Sequence, residues 1–256
     1  MAKHLLLAIV ALLVAATVSA QDKPAEKKEA PKVILASPLV VSPSVAAKIT
    51  LRGLKLDTAS EVAITGIDSP PKIELQKREK SAPPNGLNAN EVGDSLVEIA
   101  FTLPEGFAAA DLQLSVTNPD GSSPPYALAV RPAGKLQAET EPNEAFRKCG
   151  KLAIGQTIIG SIHQQRDVDV FEIDAQAGQT LVAETFAARR GSAIDPLLVL
   201  YDQNGQILVQ SDDQPEHRDA LLRYKPSAAG KVYLALLDAH DRGSGGHPYL
   251  LELRAE

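Results

Sequence analysis

Lys48-Ile-Thr-Leu-Arg-Gly-Leu54 is the stretch on which the fold turns. Its apolar residues alternate with polar ones. On an extended backbone successive side chains point to opposite faces, so one face of this segment packs and the other meets water. Working outward, the same texture recurs as short β-branched runs broken by Pro and Gly, the pattern of a sandwich and not of helices. Candidate strands in this half are Lys48–Leu56, Glu61–Ile67, Lys72–Gln76, Leu96–Leu103, Leu112–Thr117 and Tyr126–Val130. Asn118-Pro-Asp-Gly121 is a turn whose glycine supplies the positive φ of the reversal. The Pro-, Asn- and charge-rich segment Lys77–Gly93 exceeds a usual hairpin connection and reads as a loop.

Beyond Arg131–Gln137 (RPAGKLQ), an aperiodic linker, the pattern starts again. Strands are expected at Thr157–Ile162, Val168–Ile173, Thr180–Phe186, Pro196–Tyr201, Gln206–Gln210, Leu221–Tyr224, Lys231–Leu237 and Pro248–Leu253. Asn204-Gly205 is a hairpin signal, because both central residues must tolerate positive φ. The expectation is an all-β chain of two β-sandwich domains in tandem, residues 31–130 and 138–256, with residues 131–137 between them.

Upstream, Lys3 followed by the apolar run Leu5–Val14 and by Val18-Ser19-Ala20 has the three parts of a cleavable signal peptide over residues 1–20. The run is shorter than the ~20 residues a spanning helix needs, so no membrane span is expected after cleavage. Residues 21–30 (QDKPAEKKEA) form a charged tether. The expected destination is the periplasm, the cell surface or the medium.

Composition narrows the partners. A net charge of −6 with no basic stripe disfavours nucleic acid, whose phosphates demand clustered Lys and Arg. Cys149 is the single cysteine, so no internal disulfide is possible. With no Trp, five Tyr and five Phe, there is little material for an aromatic stacking platform. His4, His163, His217, His240 and His247 are scattered, without H-E-x-x-H or a G-x-S-x-G elbow. Ser244, His247, Asp238 and His240 fall in a Gly-rich turn between the last strands and read as loop chemistry, so no catalytic residue is nominated.

The segment that carries chemistry is Glu139-Thr-Glu141-Pro-Asn143-Glu144. Alternation puts Glu139, Glu141 and Asn143 on one face, and Pro142 suits a clasp on a sheet edge. In Asp167-Val-Asp169 the two carboxylates share the inward face of Phe171 and Ile173 by the same rule. Buried like charges repel unless a cation or donors intervene. Calcium takes six to eight oxygens, which the two clusters supply together. The alternative is a solvated acidic linker end with Lys148 or Arg166 as casual partners.

Two resemblances add to this. Residues 138–254 resemble the bacterial pre-peptidase C-terminal (PPC) domain family. They share Glu139–Glu144, Gly160-Ser-Ile, Asp167-Val-Asp-Val-Phe171, Ala177-Gly-Gln179, Asp195–Asp202, Gly205, Ser211-Asp-Asp213, Ala229–Tyr233 and Tyr249–Leu253 with it in order. The resemblance implies a jelly-roll-like accessory sandwich of secreted proteins, without catalysis of its own. It also implies calcium ligands at Glu139, Glu141, Asn143, Glu144, Asp167 and Asp169, where Glu144 departs from the usual Asp. More weakly, residues 31–130 resemble the Ig-like IPT/TIG family through Pro38–Pro43, Ile49–Leu54, Thr117–Gly121 and Tyr126–Val130. The expected function is an exported, non-catalytic binding or adhesion protein acting on a protein or a surface polymer. The alternative is a docking subunit of a separately encoded exported enzyme.

Overall fold

The structure, a computed structural model, describes residues 29–67 and 69–256; the expected signal peptide and most of the expected tether lie outside the described residues. In the N-terminal half the strands are β1 (Lys32–Ser37), β2 (Val40–Val41), β3 (Ala46–Leu54), β4 (Glu61–Thr65), β5 (Glu74–Lys80), β6 (Ser95–Thr102), β7 (Asp111–Asn118), β8 (Gly121–Ser122) and β9 (Tyr126–Val130). They form a sheet of order β1-β3-β6-β5 facing one of order β2-β9-β7-β4, with β8 added to β7. The alternation of the opening stretch is realised in β3. Ile49 and Leu51 are fully buried and meet Ile99 and Val97 of β6 across the ladder and Leu114 and Leu128 of the facing sheet in one core.

The second half contains β10 (Leu136–Ala138), β11 (Gly150–Lys151), β12 (Thr157–Ser161), β13 (Val168–Ala175), β14 (Leu181–Phe186), β15 (Pro196–Tyr201), β16 (Ile207–Ser211), β17 (Leu221–Tyr224), β18 (Gly230–Asp238) and β19 (Pro248–Ala255). The sheets run β10-β12-β19-β14-β17 and β11-β13-β18-β15-β16, packed over Phe171, Ile173, Leu198, Leu234, Leu251 and Leu253. β10 and β11 are short edge strands, each parallel to its neighbour, one in either sheet. The chain between them, residues 139–149, therefore crosses from the edge of one sheet to the edge of the other. It is a strap over the open side of the sandwich.

Several boundaries differ from the sequence expectation. β1 was not anticipated, because its residues KVILAS lack a strict period of two. The expected strand Lys72–Gln76 is shifted to Glu74–Lys80, and the expected loop Lys77–Gly93 thus begins as strand and ends in the helical turn α1 (Ala89–Val92). α1 is closed by a capping box in which Asn88 and Glu91 satisfy each other's backbone N–H groups. The segment Arg131–Gln137 is shorter as a connection than expected, since Leu136 and Gln137 already pair with β12.

The two sandwiches share a seam. Leu35, Leu39, Val40, Val92 and Ala129 pack with Ala193 and Leu250 from the other half. Arg190 donates to the Ala127 carbonyl at 3.0 Å and to Asp111 Oδ1 at 2.6 Å, and the Tyr126 hydroxyl donates to the Arg190 carbonyl at 2.8 Å. Gly191, at φ 81°, lies so close that a Cβ would stand 1.7 Å from the Ile34 carbonyl oxygen. Among the described residues no helix is long and apolar enough to cross a membrane.

Candidate metal centre

The strap leaves β10 at Glu139 and immediately meets three elements. Glu139 Oε1 accepts the Ser161 backbone N–H at 2.7 Å, at the end of β12. Its Oε2 lies 2.8 Å from the Tyr249 hydroxyl of β19, and that hydroxyl lies 2.7 Å from Asp169 Oδ2 of β13. Since β19 and β13 belong to opposite sheets, the Glu139–Tyr249–Asp169 contact ties the two layers at the strap. Gly160 makes the approach possible: a Cβ there would sit 2.4 Å from the Tyr249 oxygen and 2.5 Å from Glu139 Oε2.

Asp169 takes its inward place because β13 alternates. It shares a face with Phe171 and Ile173, and it is fully buried. Asp167, just ahead of the strand, is 3% exposed. Arg166 adopts φ 62°, and the reversal returns Asp167 Oδ2 to the His163 backbone N–H at 2.8 Å. Farther along the strap, Glu141 Oε2 accepts the Asn143 N–H at 3.1 Å, and the Asn143 carbonyl accepts from Val170 N–H at 3.1 Å. The Asn143 side chain is thereby turned inward at 1% exposure.

Oxygen atoms of Glu139, Glu141 and Asp169 come within 4.8 Å of one another, and Glu141, His163 and Asp167 form a second such group. Glu144 is exposed and belongs to neither. His163, which the sequence reading passed over, stands with Nδ1 2.7 Å from Asp167 Oδ2 and 3.2 Å from Glu141 Oε1. Tyr249 belongs to an expected strand, and the sequence nominates it for no site. No local signal marks it, because its partners lie 80 and 110 residues earlier in the chain.

The electrostatics are unbalanced. Burial first, and the Glu139 charge second, push the Asp169 carboxyl up to about 8. Glu139 is also raised, by burial and by Glu141, against the donors Tyr249 and Ser161. Tyr249 is held well above its ordinary range by burial and by the two carboxylates. One hydroxyl has one proton to donate, so it cannot serve both Glu139 and Asp169 while both are ionised. Among the described residues no Lys or Arg forms an ion pair with Glu139, Glu141, Asp167 or Asp169, although Lys148 and Arg166 are close in sequence. Asp167 Oδ1, Asp169 Oδ1 and both polar atoms of the Asn143 side chain are buried without any hydrogen-bond partner. Each such orphan costs about 1–3 kcal/mol, and their donor set, three carboxylate or amide oxygens facing inward, fits a hard divalent cation.

Another acidic group, Asp195, Asp212 and Asp213, differs. Asp195 Oδ1 is buried without a partner, but its Oδ2 already has cationic partners in reach, Arg218 at 3.9 Å and His240, when protonated, at 3.3 Å.

No family model matches the chain, and no curated protein does. Among solved structures it is similar to the pre-peptidase C-terminal domain of a collagenase from Bacillus anthracis, at 19% identity and a TM-score of 0.34, over 45% of this chain and 100% of that one. It is also similar to the Bacteroides ovatus protein SGBP-B, in complex with a mixed-linkage heptasaccharide, at 11% identity and a TM-score of 0.27, over 89% of this chain and 75% of that one. The secreted serine protease VesC from Vibrio cholerae matches at 10% identity and a TM-score of 0.31, over 85% of this chain and 49% of that one.

Proposed function

We propose that this chain is an exported, non-catalytic accessory binding protein whose C-terminal sandwich is closed by calcium at Glu139, Glu141, Asn143, Asp167 and Asp169. The observation that carries the reading is the set of buried, partnerless oxygens on the strap and at the start of β13, with no Lys or Arg among the described residues to pair them. Calcium supplies the missing charge and coordination, and these residues hold the strap across both sheets. The chain's own contribution is orientation. Ser161 N–H and Tyr249 aim Glu139, while the β13 ladder aims Asp169.

The strap also carries the surface best suited to a polymer or protein partner. Phe146 stacks on Tyr233 with ring centroids 4.5 Å apart and an interplanar angle of 8°, and it tilts against Tyr201 at 5.4 Å. All three are half-buried and lie on the outer face of the β13-β18-β15 sheet. Three of the chain's few aromatic residues are thus gathered in one place, which partly offsets their scarcity. Phe146 is three residues beyond Asn143, so fixing the metal segment also fixes the aromatic cluster.

Calorimetric titration of the full chain with calcium, paired with thermal melts in calcium and in chelator, tests the reading. At a hundredfold excess over Kd, calcium stabilises by about 2.7 kcal/mol, roughly 5–10 °C in Tm for a chain of this size. A melt indifferent to chelator removes the metal. For the binding role, an envelope extract is passed over the immobilised chain. Retained polymer supports the reading, and co-purification of one enzyme in fixed ratio replaces it with a docking subunit.

A further inference from the structure

We propose that His247, buried beneath the seam between the two sandwiches, is an acid-operated latch: neutral, it lets α1 close on the turn formed by residues 244–247, and on taking a proton it opens that end of the seam. The latch needs no metal. Its place in the fold is the starting observation. His247 is 1% exposed, on the turn that leads into β19. The residue before it, Gly246, is pressed against the N-terminal half: a Cβ there would stand 2.4 Å from Leu87 Cδ1 and 3.1 Å from Val92 Cγ1. The Gly246 carbonyl accepts the Ala193 N–H at 2.9 Å, and Val92 and Ala193 belong to the apolar seam. A 3.8 Å ion pair between Glu91 of α1 and Arg242 crosses the seam at the same end.

The ring itself is half satisfied. Ser244 Oγ accepts the Gly246 N–H at 3.2 Å and lies 3.0 Å from His247 Nδ1, so the serine hydroxyl has its own proton to give to Nδ1. The ring proton then falls on Nε2, which is buried with no hydrogen-bond partner among the described residues. An idle nitrogen of this kind is tolerable in a neutral imidazole and not in an imidazolium, which carries two N–H donors and a charge. The charged groups that face the ring are Asp238 at the end of β18, Arg242 on the chain between β18 and β19, and Glu91 of α1, with Arg52 of β3 behind α1 on the Val92 carbonyl. Asp238 is already taken by the backbone N–H groups of Asp195, His240 and Arg242. Burial first, and Arg242 with it, push the imidazole below its ordinary value, and Asp238 and Glu91 do not reverse this.

Acid therefore acts on this contact. An imidazole lowered in the closed form takes a proton more readily once water reaches it. The latch thus holds at full strength above the ordinary histidine value of about 6.5 and weakens as pH falls through it toward the lower closed-state value. Lifting the segment that carries Leu87 and α1 off Gly246 is the small movement that admits water to Nε2. The other end of the seam stays shut. There Arg190 is bound to the Ala127 carbonyl and Asp111, and the Tyr126 hydroxyl, pushed up to about 12 mainly by burial, keeps its proton and its hold on the Arg190 carbonyl. The seam opens about a pivot at Arg190, and the angle between the two sandwiches becomes a function of pH.

The full chain is tested in chelator by amide hydrogen exchange at pH 7.5, 6.5 and 5.5, with rates corrected for the intrinsic pH dependence of exchange. Protection of the seam amides Val92, Gly93 and Ala193 is expected to fall on the order of fivefold to tenfold between pH 6.5 and 5.5, tenfold being the limit for one proton, while the β3–β6 and β13–β18 ladders keep theirs. His247→Gln is expected to abolish the fall. Because a buried substitution can cost the fold, the wild-type ring is also followed by NMR of 13C-labelled histidine, where His247 is expected to titrate below the ordinary value and in step with the loss of protection. Seam protection that ignores pH, a fall shared equally by both cores, or a fall that survives in His247→Gln overturns the latch. So does an imidazole that titrates at or above the ordinary value while the seam stays closed.

Discussion

Asp219 and Asp238 are as deeply buried as Asp167 and Asp169, yet the two pairs live in opposite chemistry. Asp219 accepts the backbone N–H groups of Ala187 and Ala188 at 2.8 Å and of Arg189 at 3.1 Å, and it meets the Arg189 Nε at 3.1 Å. Asp238 accepts from the backbone of Asp195 at 2.8 Å, His240 at 2.9 Å and Arg242 at 3.0 Å, with Arg242 Nε at 3.4 Å. Each of these carboxylates pins a loop by saturating its own lone pairs. Asp167 and Asp169 each keep an oxygen with no donor and face further carboxylates. Burial alone therefore does not separate a structural aspartate from a ligand; the count of donors does.

The largest effect that sharpens this contrast is expected at Asp219. Replacing it by Ala leaves three backbone N–H groups, that of Ala187 buried, without their acceptor and takes one partner from the Arg189 guanidinium, which keeps Glu184 and the Thr185 carbonyl, a loss of about 3–5 kcal/mol. Urea unfolding in calcium and in chelator should show the same loss in both. Asp169→Asn should behave the other way. With metal absent, Asn reproduces the neutral form that burial and Glu139 favour, and stability should move by less than about 1 kcal/mol. With calcium present, the variant should forfeit the whole calcium increment, about 2.7 kcal/mol at a hundredfold excess. An Asp169→Asn protein that still rises in calcium by the wild-type amount would erase the distinction between the two pairs.

Acid separates the saturated pair by a smaller amount. Burial alone would raise Asp238, but the donors of Asp195, Arg242 and His240 outweigh it, and its pKa falls below the ordinary aspartate value. A carboxylate lowered in the folded state stabilises above its unfolded pKa of about 3.9, and that contribution drains away as pH drops through the lower folded value. Unfolding free energy measured from pH 5 down to pH 2 should thus steepen, by at most about 1.4 kcal/mol per pH unit for this one group. In Asp238→Asn that component of the slope should vanish. An unchanged slope would assign the acid sensitivity to other carboxylates, among them Glu184, which burial raises and the Arg189 and Arg254 pairs bring lower still.

How much of this was legible follows from the range of the interactions. The alternation of Lys48–Leu54 and of Asp167–Ile173 is a local property of pleated chain, and both stretches place their side chains as that period dictates. β5, with sequence ELQKREK, hides from such a reading. An edge strand with five charged residues out of seven protects itself from pairing with other chains, and it has no apolar face to announce it. Tyr249 is invisible for another reason. It enters the site only because β19 pairs with β12 and the strap crosses to β13, a consequence of sheet order that no window of sequence contains. His163 falls between these cases. Its spacing of four from Asp167 is readable in the sequence, but the backbone reversal at Arg166 is what turns that spacing into a contact.

Glu144 gives the smallest effect and the finest test of what a motif can transfer. By resemblance it stands where a ligand is expected, and its neighbour Asn143 is fully turned in. The backbone that buries Asn143, with its carbonyl on Val170 N–H, bends at the next residue and leaves the Glu144 side chain outside. A glutamate is one methylene longer than an aspartate, and from an exposed Cα that length carries the carboxylate away into water. Glu144→Ala is accordingly expected to change calcium affinity by no more than about 0.5 kcal/mol, about twofold, in the same calorimetric titration. A tenfold loss would mean that the strap closes farther once metal is bound and draws Glu144 inward. Glu144→Asp would then bind more tightly than the parent chain, because a shorter arm costs less side-chain entropy to order.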